Sequence, residues 1–169
     1  MSMHIRPAAL ADVPVILQLI RDLAEYEKLS HEVRATSEML EKWLFGQQPV
    51  AEVLIAEWEG TPRGFALFFH NFSTFLGKPG FFLEDLYVEP GFRGRGIGKA
   101  LLLHLARLAV ERGYGRVEWS VLDWNEPSIG FYRSLGARPM DDWTVYRLAD
   151  ESLAYLADLG SPGSGVVDS

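Results

Sequence analysis

The stretch Pro90-Gly91-Phe92-Arg93-Gly94-Arg95-Gly96-Ile97-Gly98-Lys99-Ala100 holds the residue types best suited to gripping an anion. It follows an apolar, strand-like run (Phe81 to Val88) and opens into a helix-like run (Leu101 to Arg112). Strand, glycine-rich turn, helix is the order that leaves free backbone N–H groups at a helix N-terminus. Those donors and the helix dipole attract phosphate oxygens. Arg93, Arg95 and Lys99 add positive charge around the turn. The expectation is a seat for a pyrophosphate-bearing cofactor, against the plainer reading of a surface turn whose glycines allow positive φ.

Other residues have side chains suited to proton transfer or polar contact. In Leu83-Glu84-Asp85-Leu86-Tyr87-Val88, a two-residue period sends Glu84, Leu86 and Val88 to one face and Asp85 to the other. A carboxylate in so apolar a strand is costly unless it is paired, hydrogen-bonded or open to a cleft. Glu84 therefore reads either as a cleft carboxylate or as an edge carboxylate in water, and Asp85 as a weaker, structural candidate. Tyr132 shares a helix face with Ser128, Ile129 and Leu135. It is either a working phenol or a core tyrosine with a satisfied hydroxyl. Asn125 fits a helix N-cap as well as a ligand contact. Glu27 fits a solvated helix end as well as a binding carboxylate.

Two familiar glycine loops do not match. A Walker A loop needs Gly-x-x-x-x-Gly-Lys followed by a hydroxyl, and here Gly98-Lys99 is followed by Ala100. A dinucleotide fingerprint needs Gly-x-Gly-x-x-Gly near a first strand, whereas Gly94-x-Gly96-x-Gly98 lies past mid-chain. The pattern Arg/Gln-x-x-Gly-x-Gly/Ala does match, through Arg93, Gly96 and Gly98. It resembles the acetyl-coenzyme A loop of the GNAT superfamily of N-acetyltransferases. The segments IRPAALADVPVILQLIRDLAEYE (Ile5 to Glu27), LEDLYVEPGFRGRGIGKALL (Leu83 to Leu102) and WNEPSIGFYRSLGA (Trp124 to Ala137) occur in that order. Together they resemble the diamine (spermidine/spermine-type) and thialysine acetyltransferase branch over nearly the whole chain.

The resemblance implies acetyl-CoA as co-substrate and direct transfer of its acetyl group to a primary amine of a small cationic acceptor. It implies Glu84 as a base acting through water, Tyr132 as proton donor to the departing sulfur, and Tyr26 and Glu27 beside Glu84 in the amine site. The backbone of Leu86, Tyr87 and Val88 would meet the thioester and pantetheine. The loop residues Arg93, Gly94, Arg95, Gly96, Ile97, Gly98 and Lys99 would hold the diphosphate, with Asn125 and Ser128 near the pantetheine. Glu118, Trp119 and Ser120 align with substrate-side positions but differ in type from the family's residues. A homodimer is likewise implied. Competing readings are an acetyltransferase for an antibiotic, arylalkylamine or protein amine, and a non-catalytic acyl-CoA-binding regulatory module.

The positioning elements follow from periodicity. A short first strand covers residues 3–6. A helix runs to Tyr26, with Asp12 as N-cap and Pro14 in its first turn, and a second helix spans Ser37 to Phe45. Val53 to Trp58 and Gly64 to His70 form a hairpin around Glu59-Gly60-Thr61-Pro62, and Asn71 to Gly80 reads as a loop. After the glycine turn and its helix come a strand (Arg116 to Leu122), a helix (Asn125 to Ser134), a last strand (Val145 to Leu148) and a terminal helix (Asp150 to Leu159). The fold expected is α/β: a mixed, strongly twisted central sheet with helices on both faces. Residues 1–159 read as a single domain, and the Gly/Ser-rich residues 160–169 as a disordered tail.

Bulk properties narrow the classes. A chain of 169 residues with 48% hydrophobic and 23% charged content suits one ordinary globular domain. No cysteine is present, so disulfides and a thiol nucleophile are excluded, and the four histidines lack metal-ligand spacing. No metal is expected. A net charge of −7 disfavours a nucleic-acid surface. With no bilayer-length apolar run and no apparent signal peptide, the expectation is a cytoplasmic protein without membrane contact.

Overall fold

The computed structural model describes residues 2–163. The chain divides into two compact units, one through Asn125 and the other from Glu126 onward.

The first unit is organised by a five-stranded sheet in the order β1-β2-β3-β4-β5. Strands β1 (Met3–Pro7), β2 (Glu52–Trp58), β3 (Thr61–Ser73) and β4 (Lys78–Val88) form an antiparallel meander, and β5 (Val117–Trp119) adds in parallel to β4. The sheet is thus mixed, and it is covered on both faces. Helix α1 (Val13–Tyr26) and helix α2 (Ser37–Phe45) pack over Val53, Ile55, Phe65 and Tyr87. Residues of opposite parity, Leu54, Ala56, Ala66 and Phe68, are also buried, and helix α3 (Ile97–Glu111) lies against β1 to β4. It buries Ile97, Leu101, Leu102, Leu105 and Ala109 at three- and four-residue steps.

Local chemistry accounts for most boundaries. Thr36 caps α2 by accepting from the Met39 N–H at 3.2 Å, so that helix has its expected span. Asp12 precedes α1 as expected, but its carboxylate makes no cap bond to that helix. It accepts from the Ala9 N–H at 2.7 Å and from both terminal nitrogens of Arg6 at 2.8 and 2.9 Å. The Asp12 carboxyl is held below its usual range, chiefly by those Arg6 bonds. Arg6 also binds Glu57, which fastens β1 to β2 and to the start of α1.

Three expected boundaries are corrected. The loop expected over 71–80 shrinks to a turn at 74–77: β3 runs to Ser73 and β4 begins at Lys78. Gly77 at φ 67°, with its N–H bonded to the Ser73 carbonyl at 2.8 Å, makes the turn tight enough for the arms to stay paired. The strand at 116–122 shrinks to Val117–Trp119, because its ladder with β4 ends at Leu83 opposite Trp119. Val145 to Leu148 is not a strand. Val145 and Tyr146 are 84% and 93% exposed, and no ladder reaches them among the described residues. An extended segment without a partner satisfies no backbone bonds.

The second unit contains helix α4 (Glu126–Ser134) and helix α5 (Asp150–Leu159). Leu135 and Ala137 donate to the Tyr132 carbonyl at 3.1 and 3.2 Å, and Gly136 at φ 90° closes α4. Of the tail expected over 160–169, residues 164–169 lie outside the described residues.

Candidate active site

The glycine turn adopts the conformation its composition calls for. After β4, one short helical turn (Pro90–Phe92) leads to Gly94 at φ 77° and Gly96 at φ 82°, both left-handed. Gly96 is the N-cap of α3 and provides no side-chain cap. The first N–H groups of the helix, at Ile97, Gly98 and Lys99, have no acceptor within the helix. A Cβ built on Gly94 or Gly96 meets nothing within 4 Å, so it is the positive φ and not crowding that calls for glycine at both. This cradle suits a diphosphate.

The basic side chains are placed less simply. Arg93 does not extend from the turn: its Nε–H donates to the Val88 carbonyl at 2.9 Å. Its guanidinium lies 4.8 Å from the Tyr26 ring centroid and 5.4 Å from that of Tyr87. Arg95 sits between Trp58 and Phe92, at 5.1 and 4.9 Å. Lys99 is exposed on the first turn of α3.

Beside the turn, β4 is open on one edge. Its pairing with β5 covers only Phe81 to Leu83, while β4 continues to Val88. The Glu89 N–H bonds the Arg63 carbonyl at 2.8 Å, and Tyr87 lies opposite Phe65. Alternation in an antiparallel ladder then turns the backbone of Tyr87 toward β3 and that of Leu86 and Val88 toward the open edge. The bond from Arg93 to the Val88 carbonyl agrees with that assignment. The open edge offers N–H and C=O groups to an extended, amide-containing chain.

The strand also contains a β-bulge. Leu67 pairs with Asp85 and Phe68 with Leu83, which leaves Glu84 as the extra residue. Strict alternation put Glu84 and Asp85 on opposite faces, and the bulge overturns this. Leu83 faces the α3 side with Phe68, whereas Asp85 lies opposite Leu67, which packs against the α1–α2 core. Glu84 and Asp85 both turn toward the α1 side, where Glu27 ends the helix. Burial, then Glu84 and Glu27, push the Asp85 carboxyl up to about 7 from 3.8. Burial and Glu84 push Glu27 upward as well. None of the three carboxylates has an ion-pair partner among the described residues. Asp85, set aside as structural from the sequence, is thus the most perturbed carboxylate of this group. Its signal was hidden because a bulge has no sequence signature here.

Tyr26 bridges these parts. Its hydroxyl donates to Asn125 Oδ1 at 3.2 Å, and its ring lies 6.1 Å from that of Trp124. Lys28 Nζ stands 4.9 Å over Trp124. Asn125 is buried, 5% exposed. Glu118 is engaged elsewhere, by Arg116 at 3.1 Å and by Asn71 at 3.3 Å. Ser128 and Tyr132 lie one turn apart on α4 in the second unit, with the Tyr132 ring 5.6 Å from that of Phe131.

Comparison with known proteins decides the family. The profile described as "Acetyltransferase (GNAT) family" matches residues 16–137. The chain belongs to the GNAT family. It is an acyltransferase of the N-acetyltransferase type, and its mixed sheet is the GNAT sheet. A thialysine N-epsilon-acetyltransferase of Sus scrofa is 37% identical over 167 residues, covering 92% of this chain and 98% of that protein. An L-ornithine N5-acetyltransferase of Arabidopsis thaliana is 32% identical over 204 residues, covering 94% and 90%. An integron cassette protein of V. cholerae superimposes with a TM-score of 0.78 at 25% identity, covering 93% of this chain and 98% of the other. Among the described residues of this GNAT chain, no helix is long and apolar enough to cross a membrane.

Proposed function

We propose that this chain is an acetyl-CoA-dependent N-acetyltransferase, one domain over residues 1–159, for a small acceptor carrying a primary amine and a second cationic group. Diamines, polyamines and lysine-like amino acids such as thialysine are that class. The observation that carries the reading is the group of three carboxylates, Glu27, Glu84 and Asp85, on the α1 side of β4 beside an open strand edge. Like charges so placed are stabilised by an ammonium. The names of the thialysine and ornithine acetyltransferases point the same way.

Roles follow from the chemistry of acyl transfer. The loop donors of Gly94 to Lys99 hold the diphosphate of acetyl-CoA, and the open backbone of Leu86 and Val88 receives its pantetheine arm. When bound, acetyl-CoA supplies the activated acyl thioester. An alkyl amine with a pKa of about 10.4 is only about one part in a thousand neutral near pH 7.4. Glu84 takes its proton through water, with Asp85 beside it as a carboxylate poised near neutrality. The neutral nitrogen forms the new N–C bond as the C–S bond breaks; the nitrogen then loses its second proton to solvent water, and the departing thiolate takes one up from solvent. Tyr132 donates a hydrogen bond to the departing thiolate. Full proton transfer from a phenol of about 10 to a thiolate of about 8.5 is uphill by roughly 2 kcal/mol, so the bond stabilises charge more than it moves a proton. Asn125 and Ser128 orient the pantetheine end, and Tyr26 and Glu27 line the acceptor side.

The protein works in the cytoplasm as a homodimer. Phe72, Phe75 and Leu76, 61%, 99% and 52% exposed at the β3–β4 turn, suit cover by a second copy. Thiol release from acetyl-CoA across a panel of amines tests the function. Diamines, polyamines and lysine analogues are expected to turn over with the highest kcat/KM. Turnover confined to an aminoglycoside, an arylalkylamine or a peptide would refute the acceptor class, and coenzyme A binding without turnover of any amine would refute catalysis.

A further inference from the structure

The charge pattern suggests Arg93 as a phosphate contact, yet its side chain is committed elsewhere. Its Nε–H is bonded to the Val88 carbonyl, on the edge where β4 has lost β5. Its planar cation covers the faces of Tyr26, from the end of α1, and Tyr87, from the core side of β4. Tyr26 in turn is fixed at its hydroxyl by the buried Asn125 and flanked by Trp124, which carries Lys28. One guanidinium thus joins the first residue of the glycine turn to the tyrosine at the end of α1. Its neighbours Gly94 and Gly96 are the joints of that turn.

We propose that Arg93 is a positioning residue which ties the diphosphate loop to Tyr26, so that filling the loop sets the acceptor wall of the site. This rests on the reading of Tyr26 as part of the acceptor side. Two features of the side chain make it fit for the role. A guanidinium can lie over one ring, reach a second ring and its hydroxyl, and still donate its Nε–H to a carbonyl, which an ammonium does not do. The contact also spans three separate segments, α1, the end of β4 and the loop, so a shift of the loop is transmitted through a single side chain.

The test uses the full chain with Arg93→Gln, Arg93→Lys and Tyr26→Leu, each checked for folding by circular dichroism. In Arg93→Gln the amine KM is expected to rise about five- to tenfold, as loss of two partly exposed cation–π contacts and one hydrogen bond implies. The coenzyme A Kd by calorimetry is expected to change by less than about threefold. Arg93→Lys should fail to restore the amine KM, and the double variant Arg93→Gln/Tyr26→Leu should be clearly non-additive. A coenzyme A Kd weakened about tenfold or more in Arg93→Gln and restored by Lys would identify a phosphate contact and overturn the proposal. Additive effects in the double variant would overturn it too.

A second reading needs no acceptor at all. With 3-fluorotyrosine incorporated, the Tyr26 fluorine resonance, assigned with Tyr26→Phe, should move on saturation with coenzyme A in the wild type and stay in place in Arg93→Lys. Equal movement in both would contradict the link. If no diamine-class acceptor is turned over, the functional reading fails while this resonance still decides the role of Arg93.

Discussion

Asp85 shows how one inserted residue changes the chemistry of its neighbour. The bulge at Glu84 turns Asp85 into the α1 side, where burial and two carboxylates oppose its ionisation. Its folded pKa, about 7, lies above the ordinary 3.8, so the folded protein binds that proton more tightly than the unfolded chain. Below 3.8 both states are protonated and no penalty exists. As pH rises from about 4 to about 7 stability falls, and above 7 the full penalty applies. Asp85→Asn should therefore stabilise the protein at pH 8, on the order of 1–4 kcal/mol, and the gain should shrink toward zero by pH 4. Urea unfolding at both pH values measures this, and a gain independent of pH would contradict it. Tyr132 is tested by kinetics: Tyr132→Phe should lower kcat about 10²-fold, as loss of a donor to developing charge does, with the coenzyme A Kd nearly unchanged. Wild-type turnover in that variant would remove Tyr132 from the reaction.

Elements differ in how plainly the sequence announces them. Helix α1 was readable because its apolar residues recur at helical steps around Pro14, whereas the Thr36 cap that fixes the start of α2 emerges only in the structure. The glycine turn was readable because Gly94 and Gly96 stand where φ is positive. The arms of the β3–β4 hairpin were missed, since Asn71, Pro79 and Gly80 look like loop residues and only cross-strand pairing makes them strand. The bulge, the stacking of Arg93 on Tyr26, and the exposed run Val145–Leu148 depend on contacts distant in sequence, which no local pattern encodes. The loop itself makes a prediction. Gly96→Val places a branched side chain at φ 82° on the N-cap of α3, next to its free N–H groups. Coenzyme A affinity should fall at least about 10²-fold, because both strain and obstruction act there. Calorimetric affinity equal to wild type would refute the loop as the diphosphate seat.

At the scale of the molecule, the sheet is what brings the parts into register. The meander fixes β4, the short ladder with β5 opens its edge, and α3 begins where that edge ends. A net charge of −7 adds a field that favours cationic acceptors over the whole surface. The proposed chemistry requires that the turn hold the diphosphate and that Glu84 and Tyr132 each reach the acyl group of a bound thioester. A crystal structure with coenzyme A and a diamine tests it most directly. The predicted result has the diphosphate on the N–H groups of Gly94 to Lys99, an amine nitrogen bonded to Glu84 directly or through one water, and the Tyr132 hydroxyl within about 3.5 Å of the coenzyme A sulfur. A diphosphate bound elsewhere, or Glu84 and Tyr132 facing away from the sulfur and the amine, would contradict it.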